Sequence, residues 1–162
     1  MEKIKFIIIL HNHQPVGTFD WVFGNAARDA YIPFLDVLER HPDVRIGLHN
    51  TGPLLEWFET NRPDYLYRLR DFVKKGQVEI LGGAFYEPIL SILPDRDKAG
   101  QIQMMNRWIE SRFGHPPAGC WVAERIWEPN LASVFGSQGL MYTTLDNTHF
   151  RYAGISDDRI WG

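Results

Sequence analysis

The chain has 162 residues, the size of one ordinary domain, and its 44% apolar content supports a sizeable core. A net charge of −3 and a pI near 6.0 exclude the basic face that a nucleic-acid partner requires. A single cysteine, Cys120, excludes an internal disulfide framework and a cysteine zinc cluster.

Residues 4–10 form a β-branched, continuously apolar run, which predicts a strand buried on both faces. The run is too short to cross a membrane and leads into His11-Asn12-His13-Gln14-Pro15 with no cleavage site, so a cytoplasmic protein with no membrane partner is expected. Ala27, Ala30, Tyr31, Phe34, Leu35 and Leu38 recur at three- and four-residue steps and predict a helix that starts near Pro33 or kinks there.

A second strand is predicted over residues 44–49, followed by helical segments carrying Leu54, Leu55 and Phe58, then Leu66, Leu69, Phe72 and Val73. The second of these stops at Lys74-Lys75-Gly76, a basic last turn closed by glycine. Residues 77–81 make a third strand running into Gly82-Gly83. Residues 95–113 make a long helix, 119–123 a fourth strand, 131–135 a short helix and 139–145 a fifth strand. Five βα units of this kind imply an α/β fold with a parallel sheet, and no linker divides residues 1–162.

Polar residues follow each predicted strand: His11 and His13, His49, Glu79, Glu124 and Asp146. In parallel βα folds those ends share one side, where catalytic groups gather. Glu124 sits among Trp121, Arg125, Trp127 and Glu128-Pro129, and Arg125 is expected to keep its carboxylate ionised. Two further readings stay open. His11 and His13, with His49, Glu79 and Asp146, would suit a metal-dependent hydrolase, and a catalytically incomplete sugar-binding module or split subunit would need no chemistry of its own. Glu87 and Glu128 precede prolines and are read as loop-orienting residues. Trp21 and Trp127 are read either as packing or as sugar platforms.

The motifs His11 to Pro15, Thr51 to Trp57, Gly76 to Glu79, Phe85 to Pro88, Trp121 to Pro129 and Asp146 to Phe150 occur in an order that resembles glycoside hydrolase family 57, closest to its 4-α-glucanotransferase and α-amylase branch. The resemblance implies a distorted (β/α)7 TIM-like barrel, incomplete here, that acts on α-1,4-glucans with retention and needs no cofactor or metal. It makes Glu124 the nucleophile of a covalent glycosyl-enzyme and His11, His13, Glu79, Trp121, Arg125 and Asp146 substrate-binding residues. Retention needs a second carboxyl group about 5 to 5.5 Å away, in a later region that no stretch here matches. Residues 1–162 are therefore expected to be the N-terminal part of a longer catalytic barrel. They are expected to be inactive alone, with the missing portion as partner and an α-glucan or maltooligosaccharide as substrate.

Overall fold

A computed structural model of the chain describes residues 5–161. The elements are β1 (Ile9–Asn12), α1 (Asp20–Ala26), a π-helical turn (Ala27–Tyr31), α2 (Ile32–Arg40), β2 (Ile46–Asn50), α3 (Gly52–Asn61), α4 (Pro63–Lys74) and β3 (Val78–Leu81). They continue with α5 (Asp95–Phe113), β4 (Gly119–Cys120), α6 (Asn130–Ser137), β5 (Tyr142–Thr143), α7 (Asn147–Tyr152) and α8 (Asp157–Trp161). Among the described residues no helix is long and apolar enough to cross a membrane.

Every strand pair is parallel. β2 lies between β1 and β3, β4 pairs with β5, and a single bridge from Gly82 to Cys120 joins the two groups. The strands thus follow one another in chain order, as in the wall of a barrel, with parallel βα units throughout. Alternate residues divide that wall into two faces. Ile8, Leu10, Ile46, Leu48, Val78 and Ile80 turn outward into the main core, where Leu35, Leu38, Leu54, Phe58, Leu69 and Ile109 of the helices cover them. Ile9, His11, Gly47, His49, Glu79 and Leu81 therefore share the other, concave face. A second cluster packs Cys120 and Val122 against Leu131, Phe135 and Leu140.

Pro33 does not break its helix. Proline lacks an N–H, and its ring crowds the carbonyl four residues earlier. The chain widens into the π turn just ahead of it, so one helical path continues from Asp20 to Arg40. The predicted first strand is shorter than expected. Ile4 lies outside the described residues, and pairing begins only at Ile9, opposite Gly47. Phe6 and Ile7 remain 85% and 79% exposed on an edge without a partner among the described residues, not buried on both faces.

Gly52, the first residue of α3, donates its N–H to the Phe85 carbonyl at 2.8 Å. A Cβ there would come within 2.3 Å of the Phe85 ring, which is 2% exposed and has no space to retreat. Gly52→Ala should destabilise the fold by about 1–3 kcal/mol through overpacking. Urea unfolding would register this as a lower midpoint with an unchanged slope. Phe85 also anchors the loop that carries Glu87, so the packing here has a bearing on the site.

Candidate active site

His11 lies on β1 and His13 one residue beyond its end, in the same inward phase. Parallel register sets His11 beside His49, and their Nδ1 atoms are 2.8 Å apart. His49 is fully buried. Burial, reinforced by the neighbouring charge of His11, pushes its pKa down to about 3, so its imidazole is neutral at ordinary pH.

From the loop after β3, Glu87 reaches both outer histidines. Its Oε1 is 3.0 Å from His11 Nε2, and its Oε2 accepts from His13 Nδ1 at 2.5 Å. Burial raises the affinity of the Glu87 carboxyl for a proton, but hydrogen bonds and charge from His11, with smaller contributions from His49 and His13, outweigh it. Its pKa is lowered overall. Glu87 has φ 53°, the left-handed region that a glutamate rarely occupies.

His11, His13 and Glu87 offer donor atoms within 4.8 Å of one another, which is the spacing of a three-ligand cation site. In the folded chain each of those atoms is already engaged by another member of the trio. The geometry favours a carboxylate bridging two imidazoles over an open ligand set.

Trp121 stands on the other side of His11. The indole and imidazole rings stack with centroids 4.5 Å apart and 11° between planes. The Arg125 guanidinium lies 5.9 Å from the Trp121 centroid, and Arg125 Nε donates to Asp146 Oδ1 at 2.8 Å. Arg125 was expected to serve Glu124. It is committed instead to Asp146, across 21 residues of sequence, because the turn after β4 sends its side chain towards the cap of α7. Ile7, Ile9, Trp121, Arg125, Tyr142 and Asp146 line a hollow of about 540 Å³ in the concave face between β1 and β5.

Glu124 follows β4 by four residues, in a single 3-10 turn spanning Ala123–Arg125 rather than at the tip of a strand. The predicted strand over 119–123 forms ladder pairs only at Gly119 and Cys120. Glu124 and Arg125 both have positive φ, 52° and 53°. Backbone of this kind costs on the order of 1–3 kcal/mol per residue and persists where the surroundings impose it. The Glu124 carboxylate is exposed and has no hydrogen-bond or ion-pair partner among the described residues.

Glu79 shares the concave face but not the level. Register pairs it with Gly47, which pairs with Ile9, so it sits two residues before His49 and His11, about 6–7 Å deeper. The expectation that it marks a strand end alongside the histidines is corrected by this register. Its Oε1 accepts from the Tyr142 hydroxyl at 2.6 Å. That contact crosses the intervening β4 over Gly119, where a Cβ would fall 2.2 Å from the Tyr142 ring.

Two residues of this site were not singled out from the sequence, Glu87 as the hub of the histidines and Tyr142 as the partner of Glu79. The available signals were a carboxylate shortly past Gly82-Gly83, and a glycine strand position facing an aromatic one in the next strand. Of the open tryptophans, Trp127 packs towards Phe135 at 6.1 Å, whereas Trp21 is 66% exposed beside Phe19.

The chain resembles known proteins over almost its whole length. The chain is 43% identical over 160 residues to an alpha-amylase of Pyrococcus furiosus, a match covering 99% of this chain and 24% of that protein. It is 42% identical over 161 residues to a 4-alpha-glucanotransferase of Thermococcus litoralis, with the same coverage. The crystal structure of the Thermococcus litoralis 4-alpha-glucanotransferase superposes with a TM-score of 0.91 over 96% of this chain and 24% of that one. The chain thus spans about a quarter of the length of the curated relatives it matches. The likeness bears out the expected parallel βα units of a TIM-like architecture. The sequence model of glycosyl hydrolase family 57 matches residues 7–160, and the chain belongs to that family.

Proposed function

We propose that this chain forms the nucleophile-bearing part of a retaining α-glucan-active enzyme, a 4-α-glucanotransferase or α-amylase, with Glu124 as nucleophile. The observation that carries the reading is the conformation of Glu124. An unpaired, exposed carboxylate is held in left-handed backbone four residues after β4, next in the chain to Arg125, which lines the hollow together with Trp121. A carboxylate spent on no internal partner is free to attack carbon.

In the first step a Glu124 oxygen bonds to the anomeric carbon of a glucose unit while the bond to the glycosidic oxygen breaks. That oxygen takes a proton from a carboxylic acid outside these residues. In the second step a hydroxyl of water or of an acceptor sugar attacks the same carbon, returns its proton to that acid and releases Glu124. The Arg125–Asp146 pair offers remaining donors and acceptors to sugar hydroxyls, and the Trp121 indole supplies an apolar wall. Glu79 would bind a hydroxyl from below, its carboxylate oriented by Tyr142.

The relatives' greater length supports a partner in the remaining portion of the same protein, which would bring the acid and close the open edges of β1 and β5. A cytoplasmic location belongs to this reading too, in keeping with the lone, buried Cys120. The direct test uses the full-length enzyme and a fluorinated glucosyl fluoride that forms the glycosyl-enzyme but releases it slowly. Mass spectrometry should find one added glycosyl unit on the peptide carrying Glu124. Labelling confined to another carboxylate would remove Glu124 from the role.

A further inference from the structure

We propose that Glu87 is a positioning residue for glucan binding: its carboxylate, shared between His11 and His13, holds the His13 imidazole in the tautomer that turns a bare Nε2 towards a sugar hydroxyl. The proposal rests on the glucan reading above and names which of the two candidate histidines meets the substrate.

The deduction runs through protons. A carboxylate can only accept, so each imidazole nitrogen facing Glu87 must carry hydrogen: Nε2 of His11, at 3.0 Å, and Nδ1 of His13. The Nδ1 atoms of His11 and His49 face each other at 2.8 Å, and one proton lies between them. His49 is fully buried and stays neutral. Whichever ring carries it, that proton is held between these two atoms. Both nitrogens of His11 are then consumed internally, while one of its faces is stacked on Trp121. His11 is part of the wall.

His13 differs. Its Nδ1–H is spent on Glu87, its side chain is 40% exposed, and its Nε2 has no partner among the described residues. A neutral imidazole left to itself favours the Nε2–H form, so Glu87 reverses the usual preference and fixes the ring angle at once. The Glu87 side chain is only 8% exposed, and its left-handed backbone, followed by Pro88, keeps it aimed at the pair. Among the described residues, Glu87 and His49 contact these two rings, and the Tyr31 hydroxyl donates to the His13 backbone carbonyl at 3.2 Å. A sugar hydroxyl can donate to the bare Nε2, a contact that Nε2–H would refuse.

The test begins with the full-length enzyme labelled with 15N in histidine. Long-range 1H–15N spectra should show His13 protonated at Nδ1 and bare at Nε2, and His11 protonated at Nε2. Glu87→Gln keeps the shape but cannot accept from both rings, so His13 should drift to the Nε2–H form while the backbone spectrum is retained. For a maltooligosaccharide, kcat/KM should fall about tenfold to a hundredfold, carried by KM more than by kcat. In a His13→Ala background the same substitution should cost less than about threefold further, since Glu87 acts through His13.

His13 found as Nε2–H in the unsubstituted, active enzyme overturns the proposal and leaves the glucan reading intact. So would a tautomer that ignores Glu87→Gln, or losses that simply multiply in the double variant. Equimolar zinc shifting the His11 and His13 resonances together would also overturn it, by making the trio a cation site. An unsubstituted enzyme with the stated tautomers but no glucan turnover would overturn the sugar contact together with the reading beneath it.

Discussion

Replacing Glu124 with glutamine in the full-length enzyme should abolish turnover of maltooligosaccharides, by at least about ten-thousandfold in kcat, or roughly 5.5 kcal/mol of lost transition-state stabilisation. The amide keeps the size and shape of the carboxylate but cannot supply the electron pair that forms the glycosyl-enzyme. Folding should be almost untouched. Glu124 is exposed and bonded to nothing among the described residues, and substitutions at such positions usually alter stability by no more than about 0.5 kcal/mol. The two readouts therefore separate cleanly: activity lost, unfolding midpoint held. A variant within tenfold of the unsubstituted kcat would end the nucleophile assignment. One that lost its midpoint along with its activity would point to a structural role.

The second large effect is acid destabilisation through His49. In the unfolded chain this histidine titrates near its ordinary value of 6.5, and in the folded chain only near 3. The unfolded state therefore binds the proton more readily. The neutral, buried ring contributes stability that is fully present above pH 6.5 and is lost as pH falls towards 3, at up to about 1.4 kcal/mol per pH unit.

By pH 4.5 the loss approaches about 3 kcal/mol, a large share of the roughly 5–15 kcal/mol typical of a domain. Glu87 adds to it with the same sign. Its carboxyl pKa is lowered in the fold, so its contribution is present above its ordinary value of 4.5 and disappears as pH drops through the folded value. Urea unfolding from pH 7.5 to 4 should show the decline beginning below about pH 6.5, before ordinary carboxylates protonate. His49→Gln should be less stable at pH 7 and should flatten the upper part of the curve. A midpoint that does not change between pH 7 and 5 would mean that the His49 ring meets solvent.

The elements differ in how well residue order foretold them. α5 occupies residues Asp95–Phe113, as its periodicity predicts, because a proline stands before it, acids fill its first turn and Gly114 closes it. All three signals are local. The strands were found but mis-sized. Residues 4–10 read as one apolar run, yet only Ile9–Asn12 pair with β2, since a strand exists only where a neighbour supplies hydrogen bonds. β4 and β5 shrink to two residues each for the same reason.

Among the candidate site residues, His11, His13 and Trp121 do come together around one imidazole stack. Glu79 falls a layer lower and Arg125 turns to Asp146. Glu87, read as a residue that merely orients its loop, proves to be what the histidines share.

What residue order determined by itself was the succession of parallel βα units, the outward apolar stripes and the presence of Glu124 and the histidines near strand ends. Period-2 and period-3.6 patterns and turn chemistry act over a few neighbours and are written directly in the chain. Only the tertiary structure decided which groups meet. His13 and Glu87 are 74 residues apart, Tyr142 and Glu79 are 63 apart, and those contacts depend on strand register and on loop backbone in the left-handed region. Both are settled by packing the whole wall against its helices, because a shift of one residue in any strand would turn the entire polar face into the core.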